Sequence, residues 1–330
     1  MGDFLEYKII VGGKKGTFDL TGFVVGEAVI TSYKKGRASC LEFTVIRGTK
    51  GEFVFSEGDC VKFAVENNVI FSGFVFSKER NSDQLIKVIV FDQLRYLKNK
   101  DTYNYSLKTA SDVVMMIIKN FNLKYGQIDN SGYVISSRIE ENKSLFDIIL
   151  NAVDITYKNS KKYFILFDRA GKICFKNEVN LRLPLELSVN DKSIIDFYCK
   201  TDINSDTFSR VKLYQQDKRK NFSRTETVQS DEGVERFGVL QYFQKMPEEY
   251  NAFQLKTCAE NILSEKNRIS TMFSVKCIGL GNGEENIRAG NSIFIDSLDI
   301  GEETVNGFKS IDKCTHRFSF NEHIIEMEFC

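Results

Sequence analysis

Over the first hundred residues, apolar and polar positions alternate with a period of two. CLEFTVI (40–46) puts Leu41, Phe43 and Val45 on one side and polar neighbours on the other, as in a strand with one buried face. CVKFAV, VIFSGFVF and LIKVIVF continue the pattern, separated by the turn-forming stretches EGD, ENN and RNSD. Residues 1–98 therefore read as an all-β domain.

The period then lengthens. In KTASDVVMMIIKNFNL, Val114, Ile117, Ile118 and Phe121 fall at helical spacing, and Thr109 with Asp112 resembles a capping box. KSLFDIILNAVD repeats the design, with Leu145, Ile148, Ile149 and Ala152 on one stripe and Ser144 with Asp147 at its start. KKYFILFDRAGKICFKN reads as a hairpin turning at Ala170-Gly171. Two helices and a hairpin make residues 99–182 a small α/β domain.

After Pro184 the alternation returns, giving a third region, 183–330, that is again β. Within it, residues 215–236 are polar and non-periodic and read as an exposed loop. NAFQLKTCAENILSEKN predicts a helix over about 252–266, with Leu255, Cys258, Ala259 and Ile262 inward. The strands TMFSVKCIGL, NSIFIDSL, VNGFKSI and HIIEMEF follow.

One idiom occurs twice. SEGDCVKF (56–63) and RAGNSIFI (288–295) both open a strand from a turn of glycine and a short polar residue, Gly58-Asp59 and Gly290-Asn291. Each is followed by a second glycine before phenylalanine, Gly73 and Gly307, and then by an alternating strand: Ile86, Val88 and Val90 in one, Ile325, Met327 and Phe329 in the other. Order and polarity match, which favours a duplicated module. An ordinary meander with glycine turns has the same look, and a shared strand order is what separates the two.

Composition narrows the function classes. Lys plus Arg and Asp plus Glu are 45 each, so the chain as a whole exerts no pull on nucleic acid or anionic lipid. There is no tryptophan and only 2 prolines, which argues against Pro-rich linkers and tryptophan-based binding platforms. The start, MGDFLEYKII, has neither the basic region nor the apolar core of a signal peptide. The 8 cysteines stand singly, as expected of free thiols in a reducing compartment. No apolar run approaches the roughly 18 residues of a membrane span.

Candidate chemistry is thin. GLGNGEENIRAG (279–290) has the glycine content of a phosphate loop but not its spacing, and it precedes a strand. His316, His323 and Cys314 are the weak candidates for a metal site, without an obvious fourth ligand. The carboxylate pairs Glu140-Glu141, Glu248-Glu249 and Glu284-Glu285 lie in polar stretches and read as solvated. The basic cluster Lys218, Arg219, Lys220 and Arg224 is diluted by Asp217, Glu226 and Asp231. No catalytic constellation is present, no cofactor is expected, and the chain reads as a non-enzyme.

Six segments together carry a resemblance: RASCLEFTV (37–45), SGFVFSKER (72–80), VFDQLRYLKNKDTY (90–103), KTASDVV (108–114), SRIEENKSLFDII (137–149) and FGVLQYF (237–243). In this order they resemble the XkdQ/YqbQ family, baseplate hub proteins of phage tails and phage-tail-like particles. The middle helices also resemble the late control protein D group of hubs. The resemblance runs from about residue 30 onward. It implies an α+β, mostly β chain with two tube-protein-like β-barrel domains and an inserted small α/β domain. It further implies a homotrimeric ring in a contractile tail or tail-like bacteriocin, assembled in the bacterial cytoplasm and partnered by tail tube protein, spike protein and other baseplate components. Neither specific nucleic-acid binding nor membrane binding is expected of the chain alone. A tail-associated peptidoglycan hydrolase and a generic β-barrel binding module remain as the other readings.

Overall fold

The computed structural model describes residues 6–13, 16–46, 54–80, 82, 84–188, 193–217, 222–246, 250–279, 286–299, 304–319 and 322–329. Lys218, Arg219, Lys220, Glu248, Glu249, Cys330 and residues 280–285 of the glycine-rich stretch, Glu284 and Glu285 among them, lie outside them. The chain is mostly β. Its packing forms two units, one of Met1–Tyr198 with Ser274–Phe329 and one of Cys199–Phe273.

The first seven strands are β1 (Tyr7–Gly13), β2 (Gly16–Asp19), β3 (Ala28–Tyr33), β4 (Cys40–Ile46), β5 (Cys60–Val65), β6 (Asn68–Arg80) and β7 (Leu85–Phe91). Their alternation buries Ile9, Val11, Leu41, Phe43, Val61, Phe63, Val88 and Val90 in one core. Phe91 gives way to a 3-10 turn, Gln93–Lys98, whose N-cap is Asp92.

Next come β8 (Lys100–Thr109), α1 (Ala110–Asn120), β9 (Tyr125–Ile128), β10 (Val134–Ser144), α2 (Leu145–Ser160), β11 (Phe164–Arg169) and β12 (Lys172–Asn177). Thr109 and Asp112 close a reciprocal capping box on α1. Ser144 accepts the Asp147 N–H at the start of α2. The apolar stripes of both helices meet: Val114, Ile117, Ile118, Leu145, Ile148 and Ile149 share a core with Phe164 and Phe175. Glu140, read from sequence as solvated, is buried on β10, where it accepts from Asn151 at 3.1 Å and pairs with Lys143. Its neighbour Glu141 faces out, because successive residues of a strand point to opposite faces.

The remaining elements are β13 (Arg182–Ser188), β14 (Ile194–Asp202), β15 (Arg210–Asp217), β16 (Phe222–Gln229), α3 (Asp231–Phe237), β17 (Gln241–Met246), α4 (Ala252–Lys266), β18 (Ser270–Ile278), β19 (Ser292–Asp299), β20 (Thr304–Ser310), β21 (Lys313–Phe318) and β22 (His323–Phe329). In the Cys199–Phe273 unit, β16, β15 and β17 form a three-stranded sheet, and Val211, Leu213 and Met246 pack against Leu255 and Ala259 of α4. The expected loop 215–236 is therefore largely ordered, holding the whole of β16 and most of α3. Its strand was illegible because FSRTETVQ keeps polar groups on both faces, so no period of two appears.

In the larger unit an 11-stranded sheet runs β14-β18-β22-β21-β3-β4-β7-β6-β5-β1-β2, beside a three-stranded sheet β13-β19-β20. Two series are nested here. One reads β3-β4-β7-β6-β5-β1. The other reads β14-β18-β22-β21 and then, through the consecutive strand β20, β20-β19-β13. The single long strand β6 pairs with β5 up to Phe74 and with β7 from Phe74 onward, with an irregularity at Val75–Ser77. In the second series that irregularity becomes a full break between β20 and β21. One difference remains: β1 pairs with β5 antiparallel, whereas β13 pairs with β19 parallel.

Candidate functional site

The repeated turn is the same structure twice. Asp59 N–H donates to Ser56 O and Asn291 N–H to Arg288 O, both at 3.1 Å. Gly58 and Gly290 take φ of +88° and +89°, the left-handed region that glycine enters without strain. Each polar side chain then reaches back: Ser56 N–H donates to Asp59 Oδ2 at 2.8 Å, and Arg288 N–H to Asn291 Oδ1 at 3.0 Å. Each turn is stitched to the strand opposite by a matching pair of bonds. Gly58 donates to Val75 and receives Val75 N–H on Asp59 O; Gly290 donates to Ile311 and receives Ile311 N–H on Asn291 O.

This register corrects one equivalence. Val75 corresponds to Ile311, so Gly73 lies two residues before the stitch and Gly307 four. Gly73 pairs with Val61, three residues after Gly58, while Gly307 pairs with Ile295, five after Gly290. The two glycines also serve different needs. A Cβ on Gly73 would sit 2.4 Å from Phe91 O, whereas Gly307 has open space but a φ of +96°.

The surroundings of the two turns differ. Asp59 sits over Gly13, where any Cβ would strike its carboxylate, and Glu57 and Gly58 are exposed. Ala289, Gly290 and Asn291 are buried. Asn291 Nδ2 donates to Leu181 O at 3.2 Å, Ala289 N–H donates to Ser32 Oγ at 2.9 Å, and Gly290 packs on Ile165. The second turn thus ties β19 to β3 and to β11 of the α/β segment. Arg288 adds a further tie. Its guanidinium lies 3.3 Å from the centre of the Phe167 ring and donates to Asp168 O and Ala289 O, as an arginine taken out of water requires. Sequence reading missed Arg288 because one cation in a polar turn looks like any other; its only signal is that the equivalent position in the first copy is the small Ser56.

Beside Arg288 lies a cleft of about 390 Å³ whose lining includes Asp92, Asp168 and Phe71. Asp92 caps the 3-10 turn, accepting from Leu94 N–H and Ser39 N–H, both at 3.0 Å. Burial, and then the Asp168 carboxylate, push its pKa up to about 8 against those hydrogen bonds. Asp168 is also raised by burial, opposed by the Gln93 amide and the Gly171 N–H. Gln93 bridges Lys124, Asp168 and Gly171 from a buried position. This is a satisfied structural knot joining the 3-10 turn to β11 and β12.

Cys314, His316 and His323 do meet, as a hydrogen-bond chain. His316 Nε2 lies 2.7 Å from Ile287 O and 3.3 Å from Cys314 Sγ, while His316 Nδ1 lies 3.0 Å from His323 Nε2. The carbonyl fixes the proton on His316 Nε2, leaving Nδ1 to accept from His323. Cys314 and His323 thus face opposite nitrogens of one ring, so in this arrangement the three cannot converge on one ion. Burial, and then His323, pull the His316 pKa down to about 3, and burial pushes the Cys314 thiol up. Among the described residues no group of three or more His, Cys, Asp or Glu is placed to hold a metal.

The seam of the two series is β3 against β21. Six residue pairs run from Lys313–Tyr33 to Phe318–Ala28. Phe318 enters the core of the first series, its ring 4.8 Å from that of Phe63. One strand order thus appears twice in the chain, joined edge to edge.

The family model described as YQBQ-like matches residues 29–329. The chain belongs to the YQBQ-like family. Within it, the chain is 28% identical to the uncharacterized protein YqbQ of Bacillus subtilis over 301 residues, 90% of this chain and 88% of that one. It is 27% identical to the phage-like element PBSX protein XkdQ of the same organism over 298 residues, 87% and 86% of the two chains. In fold it is similar to the 43 kDa tail protein of prophage MuSo2 from Shewanella oneidensis, with a TM-score of 0.71, 9% identity and 98% of each chain covered. The chain is thus a YQBQ-like protein with the fold of a phage tail protein.

Proposed function

We propose that this YQBQ-like protein is a hub of the baseplate in a contractile tail or tail-like particle. Three chains close into a ring that joins a threefold spike to a sixfold tube and nucleates the first tube ring. The observation that carries this reading is the repeat: one strand order and one set of turn hydrogen bonds occur twice per chain. A trimer of such chains offers six equivalent modules, which is what a threefold-to-sixfold joint requires.

In this reading residues 1–98 form the first tube-like module. Residues 183–330 form the second, with Cys199–Phe273 inserted in it, and 99–182 meets peripheral or spike-side partners. The role is mechanical and the chain is not an enzyme. A joint that survives contraction calls for interfaces above roughly 2,000 Å². The test is the copy number in purified particles, counted by quantitative mass spectrometry against the tube protein. Three chains per tail are expected; six or more per tail, or none, would contradict the hub role.

A further inference from the structure

The seam between the two series uses only half of what the repeat offers. There the second series presents β21 and the first presents β3. By the shared strand order, β21 corresponds to the later part of β6, and β3 corresponds to β14. Among the described residues both of these equivalents are open edges. β6 pairs with β5 only as far as Phe74, so on that side Ser77–Arg80 has no strand partner among the described residues. β14 ends the 11-stranded sheet. All of β6 and the Ile194–Tyr198 part of β14 belong to the larger unit.

The open edges repeat the chemistry of the closed seam. At that seam AVITSY, uncharged, meets KCTHRF, which carries Lys313 and Arg317. Of the free edges, Ile194–Tyr198 reads IIDFY and Ser77–Arg80 reads SKER. Ile195, Phe197 and Tyr198 are 47%, 50% and 55% exposed. An apolar edge strand of this kind is a pairing template that soluble chains normally blunt with charges, proline or a covering element, and here Asp196 is the one charge.

We propose that Ile194–Tyr198 of β14 pairs with Ser77–Arg80 of β6 in a second copy of this chain, repeating between chains the seam that β3 and β21 make within one. The proposal rests on the ring reading and supplies its contact. The contact is heterologous, each chain giving one edge of each kind, which is the type that generates a ring when the rotation closes. Three chains then carry six seams, internal and intermolecular in alternation. Pairing of β14 with β14 would stop at a dimer and leave both β6 edges bare.

The test places a photocrosslinker on the apolar edge, Phe197→p-benzoylphenylalanine, in a mixture of isotopically heavy and light full-length chains. After irradiation, heavy–light crosslinked peptides joining position 197 to the segment around residues 77–80 are expected. Ile195→Lys should lower their yield at least about tenfold, as a charge on a buried apolar edge does. Native mass is read on the same sample, so that the two readings fail separately. A trimer whose heavy–light crosslinks from position 197 fall elsewhere, on β14 itself for instance, overturns the strand pairing and leaves the ring. A chain that stays monomeric, with no heavy–light product, overturns both.

Discussion

Asp59 and Asn291 do the same work 232 positions apart: each accepts the amide N–H three residues upstream, at 2.8 and 3.0 Å, and so closes the same turn. What differs is the other end of the side chain. Asn291 also donates from Nδ2 to Leu181 O in a buried setting, whereas Asp59 lies in the more open turn. Asn291→Asp sets a carboxylate against a buried carbonyl and should cost about 2–4 kcal/mol. Asp59→Asn keeps its acceptor and should cost less than about 1 kcal/mol. Chemical denaturation of the two variants checks the asymmetry.

The glycines beside them give a second contrast. Both have left-handed φ, so either alanine variant strains the backbone by roughly 1 kcal/mol. At Gly290 the added methyl also meets Ile165 at 2.9 Å, while at Gly58 it meets open space. Gly290→Ala is expected to cost about 1–3 kcal/mol more than Gly58→Ala, seen as the larger drop in melting temperature.

His316 sets an acid limit. Its folded pKa of about 3 lies below the ordinary 6.5, so the unfolded chain takes a proton that the fold refuses. Stability is therefore lost as pH falls from 6.5 towards 3. His316→Leu should weaken that dependence, at a cost near neutrality of about 1–3 kcal/mol for the stranded Ile287 carbonyl. Melting temperature across pH 3.5–7 would reveal both effects, and their absence would mean that the fold does not hold the His316 pKa down.

Asp92 works in the opposite sense. A carboxyl raised to about 8 holds in the fold a proton that the unfolded chain releases near 4. Its contribution falls as pH rises from about 4 to about 8. Between about 4 and 6.5 the two groups oppose each other, so the decline shows most clearly from 6.5 to 8. Asp92→Asn, still able to accept from Leu94, should flatten that limb in a melting series extended to about pH 8.5.

Much of this fold was legible because most of the strands of the larger unit bury a single face. Leu41, Phe43 and Val45, or Ile325, Met327 and Phe329, show period two only because their neighbours reach solvent or a half-buried surface. The helices were equally plain, since Thr109 and Ser144 cap them and their stripes face one core. The doubled turn was visible too, as Gly58-Asp59 and Gly290-Asn291. What stayed hidden depends on partners distant in sequence. Nothing near Phe222–Gln229 marks it as a strand until Arg210–Asp217 lies beside it. Arg288 gains its meaning only from Phe167, and Gln93 only from Lys124, Asp168 and Gly171. The slip between Gly73 and Gly307 could not be seen either, because a bulge in β6 replaces the break between β20 and β21.

The central claim is that a chain carrying the module twice closes as a ring of three. Light scattering on the purified protein over a concentration series tests it most directly. A persistent mass near three times the 37.8 kDa chain, on the order of 113 kDa, is the result expected. A mass of one chain at every concentration would contradict it.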